Sequence, residues 1–289
     1  MNLLEALVLG IVQGVTEFLP ISSTAHLKIV PDIMGWSDPG AAFTAVIQLG
    51  TLLAVVLYFR DDILRLLGAV IRDTANLRFA SNPDSKLAWL VVLGSIPVVF
   101  AGLLLKKHIE GGFRSLQVIA FTQIAMAMLL LAAEIITSVR HESGQTSRDM
   151  DELTWWDALL VGLFQAVAIV PGASRSGTTI TGGLFAGLNR STAARFSFLL
   201  SLPAVFGAGV YELYKERKEL LASDDRILSL VVATVVSGIV GYTSIAFLLN
   251  FLKKYSTRIF IAYRIALGVL ILVLLWQGVL IEREIVEKG

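Results

Sequence analysis

A chain of 289 residues with 55% hydrophobic and 16% charged side chains lies outside the makeup of a soluble domain, and its mean hydropathy of +0.74 makes lipid the solvent for much of its surface. Its 24 Lys and Arg balance 23 Asp and Glu, a net charge of +1 that gives no expectation of nucleic-acid binding. The absence of cysteine excludes disulfides, thiolate metal sites and cysteine nucleophiles.

The first apolar stretch, Leu3 to Leu19, carries Gln13 and Glu17 and stops at Pro20. No cleavable leader is read here, because a basic leading segment and a small-residue cleavage site are missing. A bilayer core of about 30 Å takes about 20 apolar helical residues. Backbone that breaks its helix at membrane depth is tolerated only inside protein or beside a water-filled cavity. This stretch is therefore expected to enter, turn at its proline and leave on the same side. Spans are then expected over Ala41 to Phe59, Leu87 to Leu105 and Leu116 to Ile136, with Arg60 to Lys86 as an amphipathic surface connection. Ala158 to Val170 repeats the short form and stops at Pro171-Gly172. Three more spans follow over Ala193 to Tyr211, Ile227 to Leu252 and Ile259 to Ile281, the last holding Arg264, a charge that needs a partner or cavity. His108 and His141 fall in charged connections and are expected to be solvated loop residues.

The halves repeat. Ala6 to Pro20 aligns with Ala158 to Pro171 after one gap, placing Gly10 on Gly162 and Gln13 on Gln165; later, Leu105-Lys106-Lys107 matches Leu252-Lys253-Lys254. An odd number of spans between the two short stretches makes them enter from opposite faces. The expected fold is an all-α membrane protein of about six transmembrane helices plus two re-entrant helical hairpins, in two inverted-topology repeats. It forms one integral membrane domain over 1–289, with a first repeat at 1–140 and a second, inverted one at 155–285. Lys and Arg divide nearly evenly between the two faces, so charge does not orient the chain. The oligomeric state stays open, a homodimer included.

The chemistry gathers at the two breaks. Gln13 and Glu17 lie four apart on one helical face, and Ser22-Ser23-Thr24-Ala25-His26 follows, with His26 one helical turn after Ser23. A carboxylate within the bilayer costs roughly 2.5 to 3.5 kcal/mol on insertion scales, more than packing alone justifies. The second break reads Pro171-Gly172-Ala173-Ser174-Arg175-Ser176-Gly177-Thr178-Thr179. Its hydroxyls, amides and glycines suit an anion cradle, and the Arg175 fork suits two phosphate oxygens. Together they form an inventory for phosphoryl transfer. Glu17 with Gln13 offers oxygen ligands to a divalent cation, Mg²⁺ or Ca²⁺. Ser23 or His26 is the nucleophile, or His26 activates water or protonates the leaving group. Ser22, Thr24, Ser174, Arg175, Ser176, Thr178 and Thr179 are the diphosphate-binding candidates. A site between membrane helices implies a substrate with a lipid tail and a charged head.

The segments Gln13 to His26 and Pro171 to Thr179 resemble the two signature motifs of the bacitracin-resistance type of undecaprenyl-diphosphate phosphatase, and the similarity extends over nearly the whole chain, including Phe196-Ser197-Phe198-Leu199-Leu200. The resemblance implies hydrolysis of undecaprenyl diphosphate to the monophosphate with a divalent cation. It places the protein in the bacterial plasma membrane, multi-pass, among membrane lipids, recycling the carrier lipid for cell-wall synthesis with a site facing the outer side. Its functional positions fall on Glu17, Ser23, His26, Ser174, Arg175 and Thr179. The family pattern begins with Glu or Gln; here it is Gln13, so Glu17 is the only carboxylate. The competing reading is a secondary transporter or flippase for an anionic lipid or phosphate, which shares the architecture. Ser23 with His26 discriminates, because transport needs no nucleophile.

Overall fold

The computed structural model describes residues 1–110 and 115–280, with the helical backbone alone for 106–110. Among the described residues the chain is helical without strands, apart from an isolated bridge between Arg148 and Leu188. In chain order the helices are α1 (Leu3–Phe18), α2 (Ser23–Met34), α3 (Gly40–Tyr58), α4 (Arg60–Ala75), α5 (Pro83–Glu110), α6 (Leu116–Glu142), α7 (Trp155–Val167), α8 (Arg175–Phe185), α9 (Arg190–Lys215), α10 (Arg217–Leu220), α11 (Asp224–Leu252) and α12 (Arg258–Trp276).

Six of these, α3, α5, α6, α9, α11 and α12, are long and apolar enough to cross a membrane, matching the six expected spans. Their outer faces leave large apolar side chains bare, Phe100 at 62% and Leu103 at 72% exposure among them, as a lipid-facing surface requires. The Arg60 to Lys86 connection contains the regular helix α4, which buries Leu66 and Ala69 and leaves Leu64, Leu67 and Ile71 outside. His141 departs from expectation: it lies in the last turn of α6 and not in a loop, though it is exposed. The helix runs past Ile136 because Arg190 and Thr257 bind Glu134 and Arg140 reaches across to the end of α8, so the polar turn has tertiary partners. The side chains of Lys106, Lys107 and His108, and the chain from Ile281 to residue 285, lie outside the described residues.

The short helices are seated between the spans. Helix α1 packs chiefly on α11, and α7 on α5. Glycine makes both contacts close. A Cβ on Gly10 would stand 2.7 Å from the Ala233 carbonyl oxygen of α11, and one on Gly162 would stand 2.4 Å from that of Gly94 in α5. Spans α3 and α9 pack together between them, and Phe18, at the end of α1, meets Phe198 of α9 edge-on at 5.2 Å.

Candidate active site

Both short helix pairs turn the same way. Ser22 and Ser174 cap α2 and α8 with φ of 74° and 67°, a region that costs a non-glycine residue about 1 kcal/mol or more. In each, the serine hydroxyl accepts from the backbone N–H three residues on, Ala25 at 3.4 Å and Gly177 at 3.2 Å. In each it also meets the hydroxyl two residues on, Thr24 and Ser176, at 3.3 Å. Strain repeated at both turns points α2 and α8 with their N-termini at the meeting place of the pairs, where their amides favour negative charge.

Several contacts hold the turns together. Ser176 donates to the Leu19 carbonyl at 3.0 Å. Arg264, fully buried in α12, donates through Nη2 to the carbonyls of Gly172 at 2.9 Å and Ala173 at 2.8 Å, and through Nη1 to that of Pro20 at 3.5 Å. These carbonyls are the partner the sequence left unnamed. Gln123 of α6 holds the Ile21 carbonyl at 2.9 Å.

At the centre is Glu17. Its Oε2 accepts from Gln13 Nε2 at 2.8 Å, as their spacing predicts, and from Ser23 Oγ at 2.7 Å. Its Oε1 pairs with the Arg175 guanidinium from the other helix pair. Glu17 is nearly buried, and Arg175 keeps a fifth of its side chain exposed. The hydroxyl is thus set against a carboxylate able to take its proton, within the range of a general base.

His26 stands apart from this contact. Nδ1 lies 2.7 Å from the Ser22 carbonyl and Nε2 lies 2.6 Å from the Tyr263 hydroxyl of α12, so Ser23 is bonded to Glu17 and not to the imidazole one turn away. Thr178 and Thr179 are fully buried and both donate to the Arg175 carbonyl, with Thr179 also against Ser197; they shape the first turn of α8 behind the site. Tyr263 and Gln123 carry no local sequence signal that would have singled them out, whereas Ser197 lies in a segment on which the family resemblance also rests.

A divalent cation finds a small set of oxygens here. Among the described residues Gln13 Oε1, buried beside Glu17, has no partner. Among the described residues no three His, Asp or Glu side chains converge. One carboxylate and one amide oxygen fit an ion that keeps its waters and takes substrate phosphates for the rest.

Known proteins share this sequence over nearly its whole length. The family model for the bacitracin resistance protein BacA matches residues 6–270. A relative from Chloroherpeton thalassium called undecaprenyl-diphosphatase is 55% identical over 278 residues, covering 96% of this chain and 98% of the relative. Relatives of the same name from Prosthecochloris aestuarii and Chlorobaculum tepidum are 55% and 52% identical, each covering 96% of this chain and 99% of the relative.

Proposed function

The chain belongs to the bacitracin resistance protein BacA family, and from that premise we propose that it hydrolyses undecaprenyl diphosphate to undecaprenyl phosphate and inorganic phosphate in the plasma membrane, recycling the carrier lipid for cell-wall synthesis. The observation that carries this reading is the Ser23 hydroxyl donating to Glu17 at 2.7 Å while Arg175 holds the carboxylate's other oxygen. A transporter needs a bound anion but no hydroxyl aimed at a base.

The two helix pairs are read as re-entrant hairpins of inverted repeats, and the three spans between them, α3, α5 and α6, support opposite entry. Arg175 turns its fork from Glu17 to the arriving phosphate oxygens, helped by the free amides that open α2 and α8. Ser23 Oγ attacks the terminal phosphorus and gives its proton to Glu17, while the bond from that phosphorus to the bridging oxygen breaks. Undecaprenyl phosphate departs with a proton from His26. Water then attacks the phosphoserine, leaving its proton on His26. The bond from phosphorus to Oγ breaks, and Ser23 recovers its proton from Glu17. Glu17 and Gln13 would hold a Mg²⁺ or Ca²⁺ ion, which when bound supplies neutralising charge to the transferring phosphoryl group.

The test is phosphate release from a polyprenyl diphosphate by detergent-purified protein with Mg²⁺ or Ca²⁺. Glu17→Ala and Ser23→Ala are expected to lower kcat by about 10³-fold or more, and His26→Ala and Arg175→Ala by about 10²-fold or more. A wild type that binds the lipid in an Arg175-dependent way yet releases no phosphate would give the transporter reading instead.

A further inference from the structure

The nitrogen of His26 that exchanges protons is identified by its neighbours. A carbonyl oxygen only accepts, so the 2.7 Å contact with Ser22 keeps a hydrogen on Nδ1 in both charge states of the ring. The proton that comes and goes is therefore on Nε2, and the group 2.6 Å from Nε2 is the hydroxyl of Tyr263, 237 residues away. The two rings lie within 7° of parallel with centroids 5.7 Å apart.

A phenol suits this place because it donates to the neutral imidazole and accepts from the imidazolium without moving. Water would do the same without fixing the ring. The register of Tyr263 is itself fixed, since the next residue of α12 is Arg264, which reaches the turn carbonyls of both helix pairs. One turn of α12 thus sets the distance between the pairs and the orientation of His26.

We propose that Tyr263 relays the proton of the phosphatase site: its hydroxyl, the group on Nε2, accepts the Nε2 proton of His26 while donating its own to the departing phosphate oxygen, and the same two transfers run backwards when water attacks. This rests on the reading of the site as a phosphatase. Nothing in the resemblance or in the composition of the span points to this tyrosine.

Tyr263→Phe keeps the ring and removes one oxygen, and because Tyr263 is 43% exposed the change leaves packing intact. Two readouts of the purified, Mg²⁺-loaded protein decide the matter. In phosphate release from a polyprenyl diphosphate, kcat is expected to fall about 10- to 100-fold with KM changed less than about threefold, because an acid without its relay loses turnover and not binding. In timed labelling with diethyl pyrocarbonate, mapped by peptide mass spectrometry, carbethoxylation of His26 is expected to quicken at least about threefold as Nε2 loses its cover, with His141 as the unchanged reference. A Tyr263→Phe protein that keeps kcat within about twofold of wild type, or whose His26 labels at the wild-type rate, would overturn the proposal. Absence of phosphate release from wild type would instead overturn the phosphatase reading, and the labelling arm would still report whether the hydroxyl covers Nε2.

Discussion

The helix pairs α1/α2 and α7/α8 share a turn, a capping serine and a buried glutamine, yet they are held differently. Helix α8 packs on α6, α7 and α9, whereas α2 packs chiefly on α1, with Ala25 and Ile29 against the ends of α6 and α12. The C-terminus of α8 is also tied down. Arg140 donates to the carbonyls of Leu184 and Phe185 at 3.3 and 3.2 Å, and Arg148, held by Asp157, donates to that of Ala186. Cations at that end complement the helix dipole. At the end of α2 the cap is Gly35, with Ile33 and Met34 exposed beside it. The functional groups divide along the same line. The closely packed α1 carries the carboxylate, the less anchored α2 the hydroxyl and the imidazole, and the anchored α8 the arginine. On the proposed mechanism a fixed charge gains from a rigid mount.

The largest effect that would sharpen this comparison comes from changing the anchored charge without removing it. Arg175→Lys keeps the charge but loses the planar fork, and is expected to lower kcat for phosphate release by about 10²-fold. Activity near wild type would mean that charge alone suffices and that the rigid mount has no catalytic purpose. A smaller, two-sided effect separates the glutamines, both fully buried. Gln13 holds Glu17, so Gln13→Leu is expected to lower kcat about tenfold. Among the described residues Gln165 has no partner at either end of its amide, and Gln165→Leu is expected to raise the thermal midpoint in detergent by about 2 to 4 °C with activity within about twofold of wild type. A Gln165→Leu protein that melts earlier or loses activity would show that the amide serves a bound water or ligand, making the pairs more alike.

The smallest effect concerns the anchor itself. Burial raises the Asp157 carboxyl, but the Arg148 guanidinium and the Thr154 hydroxyl and amide outweigh it and hold the carboxyl below the usual carboxylate range. A group depressed in this way stabilises the fold fully above its unfolded value of about 3.9 and loses that contribution as pH falls through the lower folded value. The gap in thermal midpoint between wild type and Asp157→Asn is therefore expected to be open at pH 6 and to close as the pH falls below about 4. A gap that is constant with pH would break the link between this ion pair and the seating of α8.

Much of this was legible in the chain. Six spans follow from run length, and the bond from Gln13 to Glu17 follows from a spacing of four on a helix. Ser23 and His26, one turn apart, do not bond to each other, because the Ser22 carbonyl one turn back captures the imidazole and Glu17, which precedes the turn, captures the hydroxyl. Local spacing cannot rank such competitors. The contacts from Arg175 to Glu17 and from Tyr263 to His26 span most of the chain, and the Arg264 contacts end on backbone carbonyls that every residue type supplies. No pattern of side chains announces them.

The seating of α1 on α11 and of α7 on α5 has a consequence for biosynthesis. Helix α1 leaves the ribosome before α2 to α12, bearing a carboxylate it cannot bury alone, and the helix that receives it begins at Asp224. At roughly 5 to 20 residues per second, that wait lasts about 10 to 40 s. During this interval Glu17 needs water, a headgroup or an insertion factor for company, so the helix that carries this carboxylate is among the last to reach its final berth.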